Sequence, residues 1–542
     1  MTARSAQEAD YVIVGAGSAG CVLAARLTED PGTEVALLEA GGRDWNPLVQ
    51  VPLGWGMVYS RKLHDWRLKT EPEAALNNRV VEFARGKLLG GSSSVNAMAY
   101  VRGHRSDYDG WAERGLSGWS FDEILPWFRK QESWEGGASP YRGGDGPLST
   151  QYATYQDDLV QATIDAGRET GHPWTDDYNG AQQEGFARIQ STIRRGRRCS
   201  ASVAYLRPAL RRPNLHLQMH ARATRIIMEG TTAKGIEYLH RGERRRVMAR
   251  KEVILSAGVA LSPQLLLLSG IGPAAELRAQ NIATAIDLPK VGRNLRDHVS
   301  PVLLFRRKQP GPFHAAMRYD RIARKMAEAL LRGTGIASDV PCGMIAFLRS
   351  PLASSPVPDV QFLLNAAPLT AKPYLRAANS FPDGFGLRVV LLRPESSGTI
   401  SLASSDPLAQ PRIHQNFLQH DHEWRLLRHG IRMARDIAAQ SALGGFMGGE
   451  VVPGPDCSNS DADLDGFIRN RALTTHHPLG TCAMATSAAE GVVDDRLRVF
   501  GAERLRVIDA SVIPEMIGGN INAGVIMIAE RMADHLRGRP AA

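Results

Sequence analysis

Three glycines and one acid carry the first readable chemistry of this chain. In Gly15-Ala16-Gly17-Ser18-Ala19-Gly20, Gly15 permits a tight turn, Gly17 lets backbone approach a pyrophosphate, and Gly20 lets a helix pack closely on a strand. Glu39, 19 residues after Gly20, can accept hydrogen bonds from an adenosine ribose. Free N–H groups and the positive dipole end of a helix start would hold the phosphates. This is the chemistry of dinucleotide binding. Glu39 would repel a 2′-phosphate, which disfavours NADP. FAD and NAD share the ADP half, so these residues leave both open.

Three elements must place those residues. Tyr11-Val-Ile-Val14 reads as a short buried strand, Cys21–Thr28 as a helix, and Val35–Leu38 as a second strand ending at the acid. A GxGxxG alone is weak evidence and also fits a tight turn without a ligand. Here the strand before it, the helix after it and the acid at its distance make the full fingerprint.

Composition narrows the class. At 542 residues the chain is too long for one ordinary domain, and 43% hydrophobic with 22% charged residues is ordinary for a globular protein. Its five cysteines are odd in number, far apart and without a CxxC pair, which argues against a disulfide framework or a metal site and for a reducing compartment. The first ten residues are polar and no stretch reaches 18 apolar residues, so the expectation is a cytoplasmic protein, at most peripheral at an inner membrane. The net charge of +9 gathers in arginine clusters at 194–198 and 244–246. Without aromatic interleaving or a nucleic-acid module, these read as solvated loops and strand edges, and no nucleic-acid partner is expected.

Further along, Gly41–Glu82 is rich in tryptophan and proline and predicts packed irregular structure. Arg85–Asn96 predicts a small-residue loop leading into a helix that carries Asn96, Ala97 and Met98. Phe121–Gln131 and Gln156–Thr170 look helical, and Leu215–Met219, Ala223–Met228, Gly235–Leu239 and Glu252–Leu255 look like strands. A helix with Ser262 as N-cap and Pro263 at its first position should follow. From about residue 301 to 466, prolines and alternating runs (Val360–Leu364, Arg388–Leu392, Thr399–Leu402) indicate an antiparallel sheet with flanking helices. The chain then returns to strand (Leu505–Ile508), small-residue turn and long helix. The predicted fold is α/β: a discontinuous Rossmann-like dinucleotide-binding domain (1–155, 215–300 and 475–542) with an α+β substrate-binding domain (156–214 and 301–474) built on an antiparallel sheet.

Long motifs then converge. RGKLLGGSSSVNAMAYVRG (Arg85–Gly103), GVALSPQLLLLSGIG (Gly258–Gly272, with Val259 where a smaller residue is usual), VGRNLRDH (Val291–His298), THHPLGTCAM (Thr475–Met484) and DAS…GNINAGVIMIAERMAD (Asp509–Asp534) resemble the signatures of the glucose–methanol–choline (GMC) oxidoreductases. The likeness runs nearly end to end and is greatest to the bacterial choline dehydrogenase-like alcohol dehydrogenases and oxidases.

The resemblance implies FAD and oxidation of an alcohol. It places Gly90, Gly91 and Ser92 along the pyrophosphate and flavin edge, with Ser93 as a further donor. It brings Ser18, Ala40, Trp66, Asn96, Ala97, Ala99 and Ala223 to the cofactor, and Asp509 and Ala510 to its ribityl chain and pyrophosphate. Some members hold FAD covalently through a histidine where this chain has Val95, so binding here should be non-covalent. An alkoxide donates hydride far better than an alcohol, so a base is needed, and the match assigns it to His477. His476 would point elsewhere if the backbone is extended. Asn520 matches the second catalytic position. It can orient the alcohol and stabilise an alkoxide but cannot be the base. The helix from Asn522 to Leu536 should aim its N-terminus at the flavin N1–C2=O edge. It starts Asn522-Ala-Gly524 where the family usually has Asn-Ala-Pro, and loss of proline loosens that start.

The substrate would be a small alcohol of unread identity, and the acceptor a quinone, a carrier or oxygen. The assembly would be a monomer or homodimer. Competing readings are a hydroxynitrile or aldehyde lyase on the same fold, with FAD structural, and a non-catalytic flavoprotein.

Overall fold

Val12, Ile13 and Val14 carry only apolar surface and lie at the centre of a parallel sheet, buried on both faces. The computed structural model describes residues 7–353, 355–368, 371–375 and 380–539. Strand Glu8–Val14 runs between Val35–Leu38 and the end of Glu243–Leu255, with Val14 beside Leu38 on one side and Leu255 on the other. Leu215–Gln218 extends this sheet beyond Val35–Leu38, and Leu505–Val507 extends it beyond Val253–Leu255. The strand Glu243–Leu255 serves two sheet regions. Its first half, with exposed arginines at 244 and 246, pairs antiparallel with Thr232–His240, which pairs with Ala221–Glu229. The cluster at 244–246 is therefore a solvated strand edge, as expected.

The C-terminus closes this α/β unit, as the returning strand–turn–helix pattern predicts. Helix Asn522–Leu536 lies beside helix Ser18–Leu27, and Arg26 donates to both oxygens of the buried Glu530, at 2.9 and 2.8 Å.

A second sheet is antiparallel throughout, in the order Met447–Val452, Val302–Arg307, Gly384–Leu391, Val360–Asn365, Met344–Leu348, Gly185–Arg188. Its alternation sorts the two faces. Leu387, Val389, Phe362 and Leu364 join one core with residues of helices Asp158–Glu169 and Asp421–Ala438. Gly430 is the close approach there, because a Cβ would stand 2.6 Å from Val389. The other face presents Leu363, Asn365 and Arg388 to a cavity.

Three local expectations change. No helix carries Asn96–Met98. A single 3-10 turn spans Gly91–Ser94, and the Asn96 side chain then accepts from the Met98 N–H (3.1 Å), an Asx turn that competes with helix. Helix Leu261–Leu268 does not use Ser262 as its cap, since that hydroxyl donates to Asp509 at 2.6 Å. Strand Thr399–Ser401 pairs with Arg412–His414, apart from the six-stranded sheet.

Candidate active site

One cavity of about 1000 Å³ runs from Glu39 and Trp66 to His477 and Asn520. The starts of two helices face it, at Ser18 and Asn522, and neither has a side-chain cap. Ser18 Oγ donates to Asn522 Oδ1 at 2.7 Å and so locks the two starts together. Uncapped helix N-termini on a shared cavity are anion-binding ends.

The glycines divide the labour. A Cβ on Gly15 would lie 2.5 Å from the Ser256 carbonyl, and Gly15 has φ +97°, so only glycine makes this turn. A Cβ on Gly20 would lie 1.9 Å from the Gly15 carbonyl, which is the close packing expected of it, away from the cavity wall. On Gly17 the nearest atom would be 3.9 Å away, so this glycine leaves open space that a pyrophosphate could use. Glu39 receives the N–H of Ala16 at 2.9 Å and of Gly41 at 2.7 Å, and burial pushes its carboxyl up to about 7. Hydroxyls of a ribose would stabilise its charged form. Lys87 and Arg222 lie over the ring of nearby Trp66.

Ala40, Trp66, Gly91, Ser92, Asn96, Ala97, Ala99, Ala223, Ala510 and Asn522 also line the cavity, with Val95 among them. Gly90 does not. It packs its Cα against Ser94 and Ser202 and donates its N–H to Ala16 at 2.7 Å. Ser93 is buried and donates to the Gly90 carbonyl at 2.6 Å, so it is no cofactor donor. Asp509 touches the cavity, but its carboxylate is saturated by Gly258, Ser262 and both donors of Ser511. It shapes the wall without an oxygen to spare. Gly524 fits where proline is usual because Ile517 stands 3.0 Å from where a Cβ would sit. Arg198 corrects the reading of the 194–198 cluster as solvated. Its guanidinium is buried and holds the Val49 carbonyl and both Asn96 oxygens, at 2.7 to 2.9 Å. A run of arginines hides which one turns inward.

At the other end His477 Nε2 lies 2.9 Å from Asn520 Nδ2, and Gln361 reaches Asn520 Oδ1 at 3.5 Å. The backbone at His476 is left-handed (φ +64°), not extended, so its imidazole also lines the cavity, edge-on to Tyr59, and does not meet Asn520. His477 N–H donates to Asp297 at 2.9 Å, and its Nδ1 lies 3.0 Å from both His298 Nδ1 and Thr475 Oγ1. The VGRNLRDH motif thus supplies two supports, Asp297 and His298, that sequence matching marked but could not place.

These contacts set the proton positions. His298 Nε2 faces the Leu392 carbonyl at 3.1 Å, which only accepts, so Nε2 carries a proton. Burial holds His298 down at about 4, so near neutral pH its Nδ1 is bare. His477 must then donate from Nδ1, which leaves Nε2 as the lone pair facing Asn520. Burial, then His298, His476, Arg85 and Arg388, hold His477 well below the usual imidazole range, so it waits as the neutral imidazole.

A dinucleotide sheet joined to an antiparallel sheet, with a histidine–asparagine pair at the far end of the shared cavity, fits a dinucleotide-dependent oxidoreductase. GMC oxidoreductase family models match residues 9–300 and 394–529, and the chain belongs to the GMC oxidoreductase family. It is 43% identical over 539 residues to oxygen-dependent choline dehydrogenase of Klebsiella pneumoniae subsp. pneumoniae, covering 98% of this chain and 96% of that one. It is 40% identical over 544 residues to the mitochondrial choline dehydrogenase of Mus musculus, covering 98% and 90%. The crystal structure of pyridoxine 4-oxidase from Mesorbium loti superposes with a TM-score of 0.88 at 31% identity, covering 98% of this chain and all of that one. The protein is an FAD-dependent oxidoreductase acting on the CH–OH group of a donor.

Proposed function

We propose that His477 removes the hydroxyl proton of a small alcohol while Asn520 holds the oxygen, and that FAD lies non-covalently along the cavity from Glu39 to this pair. The observation that carries the reading is the bare His477 Nε2, 2.9 Å from an amide donor and held in one tautomer by His298. A substrate hydroxyl bridging the two would donate to Nε2 and accept from Nδ2. As the proton moves to Nε2, Asn520 stabilises the alkoxide and His298 keeps the new imidazolium's Nδ1–H engaged. FAD, when bound, supplies the acceptor for the hydride that leaves the carbinol carbon, so the products are an aldehyde or ketone and a proton.

The residues proposed to hold FAD are Gly15, Gly17, Ser18, Glu39, Ala40, Trp66, Gly91, Ser92, Asn96, Ala97, Ala99, Ala223, Ala510 and Asn522, with Gly20, Gly90 and Asp509 shaping their backbone. The strands of the two sheets support a division into 1–155, 215–300 and 475–542 for the cofactor and 156–214 and 301–474 for the substrate. Electrons pass on to a quinone or carrier, with oxygen the competing acceptor. No helix among the described residues is long and apolar enough to cross a membrane. We place the enzyme in the cytoplasm, at most peripheral at the inner membrane, as a monomer or homodimer. The lyase reading draws no support from the dehydrogenases and oxidase named above.

Anaerobic addition of primary alcohols to the FAD-loaded protein tests this. The flavin absorbance near ~450 nm should bleach, as for flavins generally, and acid precipitation should release the FAD, because Val95 cannot form a histidyl bond. No bleaching with any alcohol, or flavin retained in the pellet, would contradict it.

A further inference from the structure

Among the described residues, Arg388 is a cation without a counter-charge at the catalytic end of the cavity. It sits on strand Gly384–Leu391, on the face turned away from the packing helices, and its remaining exposure is to the cavity. Among the described residues its one hydrogen-bond partner is Ser300 Oγ, which accepts from Nη1 at 2.9 Å. The other guanidinium N–H groups have no acceptor among the described residues. Among the described residues no carboxylate stands within ion-pair distance. The ionisable groups beside it are the Tyr59 phenol, pushed up by burial, the Cys342 thiol, pushed up to about 12, and the His476 and His477 imidazoles, held low by burial, so all are neutral near pH 7.

The carboxylates of the cavity wall do not serve it. Glu39 belongs to the far end, Asp509 is saturated, and Asp65 accepts from the Arg67 and Arg85 N–H groups. Arg85, also on the wall, lies in the field of Asp65 and Asp297, whereas Arg388 has no such neighbour. A buried, uncompensated cation is costly to keep, so an unpaired guanidinium at a binding site points to a ligand that pairs it.

Its position ties it to the chemistry. Ser300 lies two residues after His298, and Val299–Ser300 pairs with Leu473–Thr474, the segment that runs directly into Thr475, His476 and His477. We infer that the alcohol oxidised here carries a carboxylate at its other end, and that Arg388 binds that carboxylate while the hydroxyl meets His477 and Asn520. The inference rests on the catalytic reading above. It separates this chain from its choline dehydrogenase relatives, since choline is a cation and would meet Arg388 with the wrong sign. Arg388 is also among the charges that hold His477 low, so a bound carboxylate would offset it and strengthen the base as the substrate arrives.

Two measurements on the FAD-loaded enzyme test this. In anaerobic stopped flow, short ω-hydroxy acids, with 4-hydroxybutanoate as the reference, are compared with 1-butanol and choline. The acid should reduce the flavin with an apparent second-order constant roughly 10²- to 10³-fold above that of 1-butanol, the usual worth of one buried charged partner. Arg388→Met should erase that advantage, and Arg388→Lys should keep part of it. Equal rates for acid and alcohol, or a preference for choline, overturns the inference. In calorimetry, unreactive butanoate should bind the wild type, bind Arg388→Lys more weakly and fail to bind Arg388→Met. Absent binding, or binding indifferent to Arg388, also overturns it. If butanoate binds through Arg388 but no alcohol reduces the flavin, the catalytic reading fails and the anion site stands. If 1-butanol reduces the flavin but butanoate does not bind, only the anion site fails.

Discussion

His298 and His477 meet nitrogen to nitrogen, Nδ1 to Nδ1 at 3.0 Å, across 179 residues of sequence. Only one of the two can carry the proton between them. The Leu392 carbonyl fixes the tautomer of His298, and His298 thereby fixes that of His477. His298→Ala should keep FAD bound but slow flavin reduction by about 10- to 10²-fold, because His477 then keeps only Thr475 to hold its Nδ1–H. The slowing should fall on the reduction step, with little change in substrate affinity. Wild-type reduction rates in this variant would show that the histidine pair does not set the base.

His477→Ala removes the proposed base. Flavin reduction by alcohol should fall by roughly 10² to 10⁴, the range for a lost acid–base group. His476→Ala should cost much less, since His476 lines the cavity without touching Asn520. Stopped-flow rates for the two variants decide it, and the reverse order would reassign the base.

In the proposed mechanism Asn520 contributes a positioned donor and no ionisation. Asn520→Ala should slow flavin reduction about 10- to 10³-fold, as for loss of one such donor. Asn520→His should keep measurable activity, since an imidazole N–H can donate from the same place. Unchanged reduction by Asn520→Ala would remove this residue from the site.

The pH dependence follows from the sign of the His477 shift. In the proposed mechanism the neutral imidazole is the active form, and the site favours it by burial and by surrounding cations. Activity should therefore hold level through neutral pH and fall only as pH drops through the lowered ionisation. For a neutral alcohol, the acid limb of kcat/KM should lie below pH 6.5, the ordinary imidazole value. A midpoint at or above that value would contradict the site's electrostatics.

Glu39 accepts one backbone N–H on each oxygen. Glu39→Gln must turn an amide NH₂ toward the N–H of Ala16 or Gly41 and lose an acceptor for the ribose. FAD should bind roughly 10- to 10²-fold more weakly, the cost of one opposed buried polar group. Flavin retention on dialysis, with the melting temperature as a check on folding, measures it.

The local part of this protein is written in short stretches of chain. Tyr11 to Glu39 spell strand, glycine turn, helix, strand and acid, because each element there is set by neighbours a few residues away. For the same reason Phe121–Gln131 and Asn522–Leu536 stand in the fold where the sequence predicts them. The long motifs likewise single out His477 and Asn520, whose contact the fold supplies. Side chains whose partners lie far along the chain could not be read. Arg198 turns inward while its neighbours stay out, because Asn96 and Val49 offer it carbonyls from another segment. His298 meets His477, and Arg388 is left without a carboxylate among the described residues, only once two sheets have closed around one cavity. Sequence spacing encodes local periodicity, whereas hydrogen-bond direction and charge balance in a buried site depend on which distant groups the packing brings within a few ångströms.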